Sequence, residues 1–376
     1  MYKNSFVFLS LIFLFILVII QSLNFFSLNP LYDFNYNNVQ DLKWSGSNLF
    51  LQNENVYQIY LDNPSDNRIV GNQFPNYSIG SLYFHLPLGY FSLYQASVMW
   101  IFFSTLLTFH IYIIYHNLNL EIKNKNFIIF ISMILFILSK PFNLVISNGN
   151  FSIVSFWAFT FFFLGKKNNI FISLFLSSIK YSFAPIIFLY SFIKKDFIQI
   201  FLVFVTIGLL LIHYSNRFDY DLIELIFAPI LIGNISTGSG FLDFQTLLGN
   251  RPQNIYLKYS IIILFSIFLF YIIYKNTKRS ALLDLCLVSF ITLLTFKHLY
   301  YDMIFLFPIL IYSFKIDFNK RLLVIFIIIY YWFIAYLEIF ESFKYWKSFM
   351  LFNNILLIIC FSLLLEFPKK IKLFNQ

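Results

Sequence analysis

Charge is scarce in this chain. Asp, Glu, Lys and Arg together supply 11% of its 376 residues, while hydrophobic residues supply 60%. A soluble globular protein carries about 25% charged residues, so this composition excludes water as the main solvent. Apolar stretches of about 20 residues, the length that crosses a hydrocarbon core of about 30 Å, recur between short polar breaks. We therefore expect an all-α integral membrane protein built as a polytopic helical bundle.

Other absences exclude several classes of function. The two cysteines, Cys286 and Cys360, fall in separate apolar stretches and indicate no disulfide framework. A Gly-rich phosphate loop followed by lysine is missing, which argues against ATP-driven work. The five histidines lack metal-ligand spacing to Cys or carboxylate partners, so neither a metal nor a resident cofactor is predicted. There is also no Gly-x-Ser-x-Gly nucleophile motif.

The formal net charge of +9 does not indicate nucleic acid as a partner, because the basic residues are dispersed among apolar stretches. Lys and Arg of this kind are typical of loops at the cytoplasmic edge of a membrane. Their clusters predict a multi-pass protein with a cytoplasmic N-terminus and an active face on the extracytoplasmic side. The richness in Phe, Ile, Asn and Lys suggests an AT-rich genome and predicts a bacterial plasma (inner) membrane. The clusters lie at residues 123–125, 166–167, 194–195, 275–279, 320–321 and 369–370.

No Gly- or Pro-rich linker divides the sequence, which predicts a single polytopic membrane domain over residues 1–376. About ten membrane spans fit the apolar stretches. The clearest of them are residues 6–28, 93–115, 126–147, 197–214, 256–274 and 322–340.

One stretch, residues 170–193, predicts a re-entrant pair in addition to the ten spans. It is long enough for one crossing, yet a lysine pair stands at each end, and both pairs belong on the cytoplasmic side. A chain that dips in and returns would turn near Lys180 and Pro185. Broken backbone at membrane depth needs protein or a water-filled cavity to satisfy it, and an intramembrane charge is costly and usually functional. Lys180 is therefore a candidate cavity residue.

Two predicted outer segments, residues 30–88 and 213–254, are long enough to build a site. In the first of them, apolar residues recur at helical spacing from Trp44 to Tyr60, which predicts amphipathic helix on the membrane surface. A carboxylate just outside the bilayer is partly desolvated and can become basic enough to accept a proton from a hydroxyl. The candidates in this segment are Asp33, Asp41, Glu54, Asp62 and Asp66.

The surroundings of Asp41 single it out among these carboxylates. It opens a run that includes Asp41, Leu42, Lys43, Trp44, Leu49, Phe50, Leu51, Asn53, Asn55, Val56, Tyr57, Pro75, Asn76, Tyr77, Pro87, Leu88, Ala96 and Trp100. This run resembles the first outer loop and second span of the membrane glycosyltransferases of the C superfamily (GT-C). It is most similar to glycosyltransferase family 87, the polyprenyl-phosphate-mannose-dependent mannosyltransferases.

The resemblance extends loosely to about residue 308. Asn148, Gly149 and Asn150 lie where the family tends to have a Gly-Gln turn, so Asn150 would replace the glutamine. Lys180 stands near a proline, as in the family, and the run from Lys297 through His298 to Asp302 is similar to its outer-face histidine segment. The sequence departs from the family at the Gly-Gln turn and at the loop proline. The resemblance therefore implies the superfamily more firmly than the donor sugar, which family 87 would make mannose.

The resemblance implies a hexosyltransferase of the cell envelope that moves a sugar from a polyprenyl-phosphate donor to a lipid or glycan acceptor. Asp41 would be the general base of an inverting displacement. Cationic residues would stabilise the leaving phosphate, with Arg217 as a further candidate cation. The predicted substrate-binding residues are His298, Lys297, Lys180, Asn148, Asn150, Tyr77 and Arg251.

Two alternatives from other classes stay open at this point. A transporter or flippase of lipid-linked saccharides would place ionisable residues in the middle of its spans, where Asp284 is the clearest acidic example. An outer-face saccharide polymerase or ligase would need arginines in its outer loops, and Arg68, Arg217 and Arg251 could supply them.

Overall fold

In the computed structural model, the described residues are 2–26, 41–71, 73–165, 170–235, 255–276, 280–296, 298–335 and 346–365. Every regular element in these ranges is helical. The helices of the N-terminal half are α1 (Tyr2–Phe26), α2 (Trp44–Leu51), α3 (Val56–Asp62), α4 (Ile79–Gly89), α5 (Leu93–Asn117), α6 (Lys125–Leu138), α7 (Lys140–Ser147) and α8 (Ser152–Leu164).

The second half continues the same all-helical pattern. Its α-helices are α9 (Ile170–Ile179), α10 (Ala184–Ile193), α11 (Phe197–Phe218), α12 (Leu222–Ile235), α13 (Ile255–Asn276), α14 (Ala281–Thr295), α15 (Phe307–Ser313), α16 (Phe318–Ile329) and α17 (Trp346–Ser362). A 3-10 helix, Tyr300–Leu306, leads directly into α15, and a short π-helix, Tyr330–Ile334, extends α16. The all-α fold class is thus confirmed.

The apolar helices are compatible with a membrane protein. By length and composition, α5 and α11 could each cross a membrane alone, and α6 with α7 would be a third span if the bent pair counts as one. The pair bends by 59° at Ser139, whose hydroxyl accepts a hydrogen bond from the Phe142 amide and so caps the new helix. Nine shorter apolar stretches of 10 to 17 residues lie in the other described helices, such as Phe6–Ser22 within α1 and Ser260–Tyr271 within α13. The total of ten spans stays a prediction.

Helix α14 lies at the centre of the bundle, since all its residues from Leu282 to Thr295 are buried. Helix α11 lies at the periphery and exposes large apolar side chains, with Phe201 at 65% and Leu209 at 62% of full exposure. A continuous apolar surface of this kind needs a partner or a bilayer to cover it.

The chain doubles back between α9 and α10, as the two lysine pairs predict. Lys180, at the break, donates a hydrogen bond to Ser152 at the start of α8, with Nζ 2.9 Å from Oγ. Tyr190, near the end of α10, packs its ring 4.7 Å from that of Phe163 at the other end of α8. These two points on α8 are about 16 Å apart at 1.5 Å per residue. The end of the bundle that holds Ser152 and Lys180 is called the Asp41 end below.

The helical character of residues 44–60 is confirmed, but the structure differs from a helix on the membrane surface. Two short helices, α2 and α3, form there with Asn53 in the left-handed region between them, at φ 62°. Their apolar side chains are covered by protein, in a cluster built from α2, α3, α4, α11 and α12. It contains Leu49, Phe50, Val56, Tyr57, Tyr60, Ile69, Ile79, Leu82, Tyr214, Leu225, Ala228 and Ile232.

Candidate functional site

Asp41 is fixed by a tight turn that joins α7 to α8. Its backbone amide donates to the Asn148 carbonyl oxygen over 2.8 Å. Gly149 follows with a φ of +69°, and a Cβ there would lie 2.6 Å from the Leu42 Cβ. Only glycine adopts this conformation at so close an approach without strain. Asn148 therefore supports the site through its main chain, and Gly149 lets the turn pack onto the residue after Asp41.

The turn delivers the side chain of Asn150 to Asp41. Asn150 is fully buried, and its Nδ2 donates to Asp41 Oδ2 over 3.1 Å and to the Tyr77 hydroxyl over 3.4 Å. The Asp41 side chain is half-buried. Within the described residues, its second carboxylate oxygen takes part in no hydrogen bond. Three predicted site residues, Asp41, Asn150 and Tyr77, are thus brought together.

Asp302 is the centre of a second group beside the first. Its Oδ1 accepts from Lys180 Nζ over 2.7 Å and from the Ser152 hydroxyl. Its Oδ2 accepts from His298 Nδ1 over 2.9 Å and from the Leu299 amide over 3.3 Å. Four donors on two oxygens are the environment of an ionised carboxylate.

The His298 ring has an acceptor at each nitrogen. Nδ1 faces Asp302, and Nε2 lies 2.9 Å from the Thr292 carbonyl oxygen. A neutral imidazole has one N–H, so one of these two contacts is a donated hydrogen bond whichever tautomer is present. Asp302 is thus the shared partner of Lys180 and His298 inside the Asp41 end of the bundle.

Ser152 links the two groups. Its backbone amide donates to Asn150 Oδ1 over 2.8 Å, while its hydroxyl accepts from Lys180 Nζ over 2.9 Å. The hydroxyl proton can then be donated to Asn150 Oδ1 or to Asp302 Oδ1, which both lie within hydrogen-bond distance. One continuous hydrogen-bond network therefore runs from Asp41 through Asn150 and Ser152 to the Asp302 group.

Lys43 completes the site and carries an unsatisfied charge. Its side chain is buried, and Nζ has no hydrogen-bond partner among the described residues. The ammonium lies 4.6 Å from the centroid of the Tyr77 ring. Burial lowers the pKa of Lys43 to about 8, against the opposing pull of the nearby Asp41 carboxylate. Burial likewise raises the pKa of the Tyr77 hydroxyl, which stays protonated.

Sequence reasoning missed Asp302, Ser152 and Lys43 as site residues. For Asp302 a signal existed, because an acidic residue that opens an apolar stretch four positions after a histidine can face that histidine on one helical turn. Ser152 and Lys43 carried no such signal. Serine is common in helices of this chain, and Lys43 resembles an ordinary loop lysine in its sequence context.

Several predicted positions lie elsewhere or outside the described residues. Lys297 and Arg251 belong to the latter group. Arg217 binds at the apolar cluster of α2, α3, α4, α11 and α12. Its guanidinium stacks 4.1 Å from the Phe50 ring and donates to the Phe50 carbonyl over 3.0 Å. Asp284, the acidic residue of the transporter reading, accepts from the Tyr190 hydroxyl over 2.7 Å, far from Asp41.

In the described part of the chain the network contains no cluster of metal ligands, and an open recess of the bundle lies away from it. Across the described ranges, no three His, Cys, Asp or Glu side chains converge as metal ligands. An open recess of about 860 Å³, lined by Phe6, His116 and Lys125 among others, lies at the opposite end of the bundle. It contains none of the predicted site residues. No protein-family model, curated protein or solved structure matches the chain.

Proposed function

We propose that the chain is a membrane glycosyltransferase that moves a sugar, mannose by its resemblance, from a polyprenyl phosphate to a lipid or glycan acceptor. The observation that carries the proposal is the placement of Asp41. Asn150 holds one carboxylate oxygen, and the other oxygen is left available on a half-exposed side chain. A general base needs this combination of a fixed orientation and an open lone pair.

The chemistry is a single displacement at the anomeric carbon. The acceptor hydroxyl gives its proton to Asp41 as its oxygen forms the new glycosidic bond. The bond from the anomeric carbon to the phosphate oxygen breaks, and the phosphate leaves with the electron pair. Attack and departure on opposite faces of the sugar invert the anomeric centre. Because phosphate is already a good leaving group, fixed positive charge can stabilise it in the transition state.

The Asp302 group supports this reaction as a fixed electrostatic element. Lys180 and His298 are both hydrogen-bonded to Asp302, so they act in the proposal as a fixed group around that carboxylate rather than as free ligands. The hydrogen bonds through Ser152 hold this group in register with Asn150 and hence with Asp41. Donors that are already oriented need no reorganisation when charge develops on the phosphate.

The membrane context completes the proposal. A polyprenyl donor is dissolved in lipid, so its phosphate lies at a bilayer edge, and the distribution of Lys and Arg predicts that the Asp41 end faces the extracytoplasmic side of the plasma membrane. The partners are then membrane lipids, the polyprenyl-phosphate-linked sugar and the acceptor. Asp284, the acidic residue that a flippase would use, accepts a hydrogen bond from Tyr190 at the end of the bundle away from Asp41, and this supports an enzyme over a flippase.

The experiment reconstitutes the purified protein in proteoliposomes with radiolabelled polyprenyl-phosphate sugars and a membrane lipid extract. Wild type should form a labelled product, and Asp41→Asn should lower the rate by about 10²- to 10⁴-fold, the range for loss of a general base. Asp62→Asn, at an exposed helix end in the same segment, is the matched control and should keep the wild-type rate.

Two results would contradict the proposal. Label that crosses the bilayer without chemical change would identify a flippase instead. Product formed by Asp41→Asn at the wild-type rate would remove Asp41 as the base.

A further inference from the structure

Lys43 is the strongest feature that the reaction scheme leaves unused. Its side chain keeps 5% of full exposure, and Nζ is buried without a hydrogen-bond partner in the described part of the chain. Leaving a buried charge unpaired costs several kcal/mol. Native proteins retain such a group when something outside the chain completes it, such as a ligand of opposite charge.

Lys180, the other described lysine near Asp41, is already neutralised. It pairs with Asp302 at 2.7 Å, and the other oxygen of the same carboxylate lies 2.9 Å from His298 Nδ1. Asp41 lies within electrostatic reach of Lys43 but forms no ion pair with it under 4 Å in the described residues. A new anion at this end of the bundle would therefore find its unpaired positive charge at Lys43.

We propose that Lys43 binds the phosphate group of the lipid-linked donor, and that its position over Tyr77 is the resting position of an empty site. The ammonium rests 4.6 Å from the ring centroid, and this cation–π contact offsets part of the cost of burial. The flexible four-carbon stem lets the ammonium move from the ring toward the half-exposed opening at Asp41. This inference rests on the proposed function.

The ligand class is a phosphate ester on an apolar chain. Lysine is a compact cation with three donors, which suits a phosphate oxygen. The oxygen that breaks from the anomeric carbon gains negative charge, and an ammonium beside it stabilises that charge and the departing lipid phosphate. Lys43 and Asp41 are two residues apart, so one short loop would carry both the base and the phosphate ligand, with the sugar between them.

The test measures binding without turnover. Wild type, Lys43→Met, Lys43→Arg and the control Arg68→Met are titrated in nanodiscs with farnesyl phosphate, farnesol or inorganic phosphate, and tryptophan fluorescence is recorded. Arg68 is an exposed cation of the same outer segment, paired with Glu54 and Asp66. Farnesol measures binding of the isoprenoid chain without the phosphate, and inorganic phosphate measures binding of the phosphate without the isoprenoid chain.

Lys43→Met should bind farnesyl phosphate about 10- to 100-fold more weakly, the loss of one charge-assisted hydrogen bond. Its affinity for farnesol should not change, Lys43→Arg should retain most of the affinity, and Arg68→Met should match wild type. Without ligand, Lys43→Met should melt at or above the wild-type temperature, because an unpaired buried charge is removed. A lower melting temperature would instead assign Lys43 a structural role.

The two proposals fail in different ways. If wild type binds farnesyl phosphate and Lys43→Met binds it equally well, the role of Lys43 is refuted and the glycosyltransferase proposal stands. If wild type binds farnesyl phosphate no better than farnesol, both proposals are refuted. Equal loss in Arg68→Met would show a general effect of outer-face charge and would also overturn the specific role of Lys43.

Discussion

Substitution of Asp302 should destabilise the protein more than substitution of Lys180, because Asp302 is the buried partner of both Lys180 and His298. The Lys180–Asp302 pair is separated by 2.7 Å, which corresponds to a gross attraction of about 6 kcal/mol at an effective dielectric constant of about 20. Desolvation offsets most of this attraction while the pair is intact. When one partner is removed, the attraction is lost, but the remaining charge is still buried and keeps its desolvation cost.

Asp302→Asn leaves both Lys180 and His298 without their carboxylate, and we expect it to cost about 3–5 kcal/mol. Lys180→Met should cost less, because Asp302 keeps His298 and the Leu299 amide as hydrogen-bond partners. The double substitution should be less destabilising than the sum of the two single ones, with an interaction energy of about 1–3 kcal/mol.

The assay is unfolding by SDS in mixed micelles, followed by tryptophan fluorescence, for wild type, both single variants and the double variant. Asp62→Asn is the matched control and should lie within about 0.5 kcal/mol of wild type. A Lys180→Met variant less stable than Asp302→Asn, or strict additivity in the double variant, would refute the reasoning. Either result would mean that Lys180 and His298 do not both depend on Asp302.

Two further predictions concern backbone strain and pH. Gly149→Ala should destabilise the protein by about 1–3 kcal/mol and lower transfer activity, because a Cβ there meets Leu42 at 2.6 Å with a φ of +69°. Gly208→Ala, where nothing lies within 4 Å of the added Cβ, should be neutral or stabilising by up to about 1 kcal/mol; equal losses at both positions in thermal unfolding would contradict the role of the turn. The pKa of Lys43, lowered to about 8, makes the unfolded state bind more protons than the folded state above that pH, so stability attributable to Lys43 should rise from pH 8 toward 10. The affinity for farnesyl phosphate should fall over the same pH interval. If stability and affinity change with pH in the same way in wild type and in Lys43→Met, this assignment is contradicted.

Much of the architecture follows from local sequence. The number of consecutive apolar residues is a local property, and hydrocarbon thickness fixes the length that matters. The helices over residues 93–117, 197–218 and 255–276 therefore begin and end within four residues of their predicted bounds. The doubling back near Lys180 was also predictable, because two lysine pairs flank a stretch too short for two full crossings.

Asp41 and Asn150 were predictable as candidates, since their motif positions are local. Their contact was not: they are 109 residues apart in sequence, and Lys180 and Asp302 are 122 apart. Whether such residues meet depends on how the helices pack, and no pattern along the chain encodes that distance.

The outer segment shows the same division. Apolar spacing predicted helix over residues 44–60, but the same spacing serves a helix covered by lipid and one covered by protein. Residues of α4, α11 and α12 pack on Phe50 and Tyr57, so protein rather than lipid covers the apolar face of this segment. The sequence by itself determined the helices, their polarity and the chain reversal. Tertiary packing alone decided that Asp302 would join Lys180 to His298, and that Lys43 would be buried with its charge unpaired.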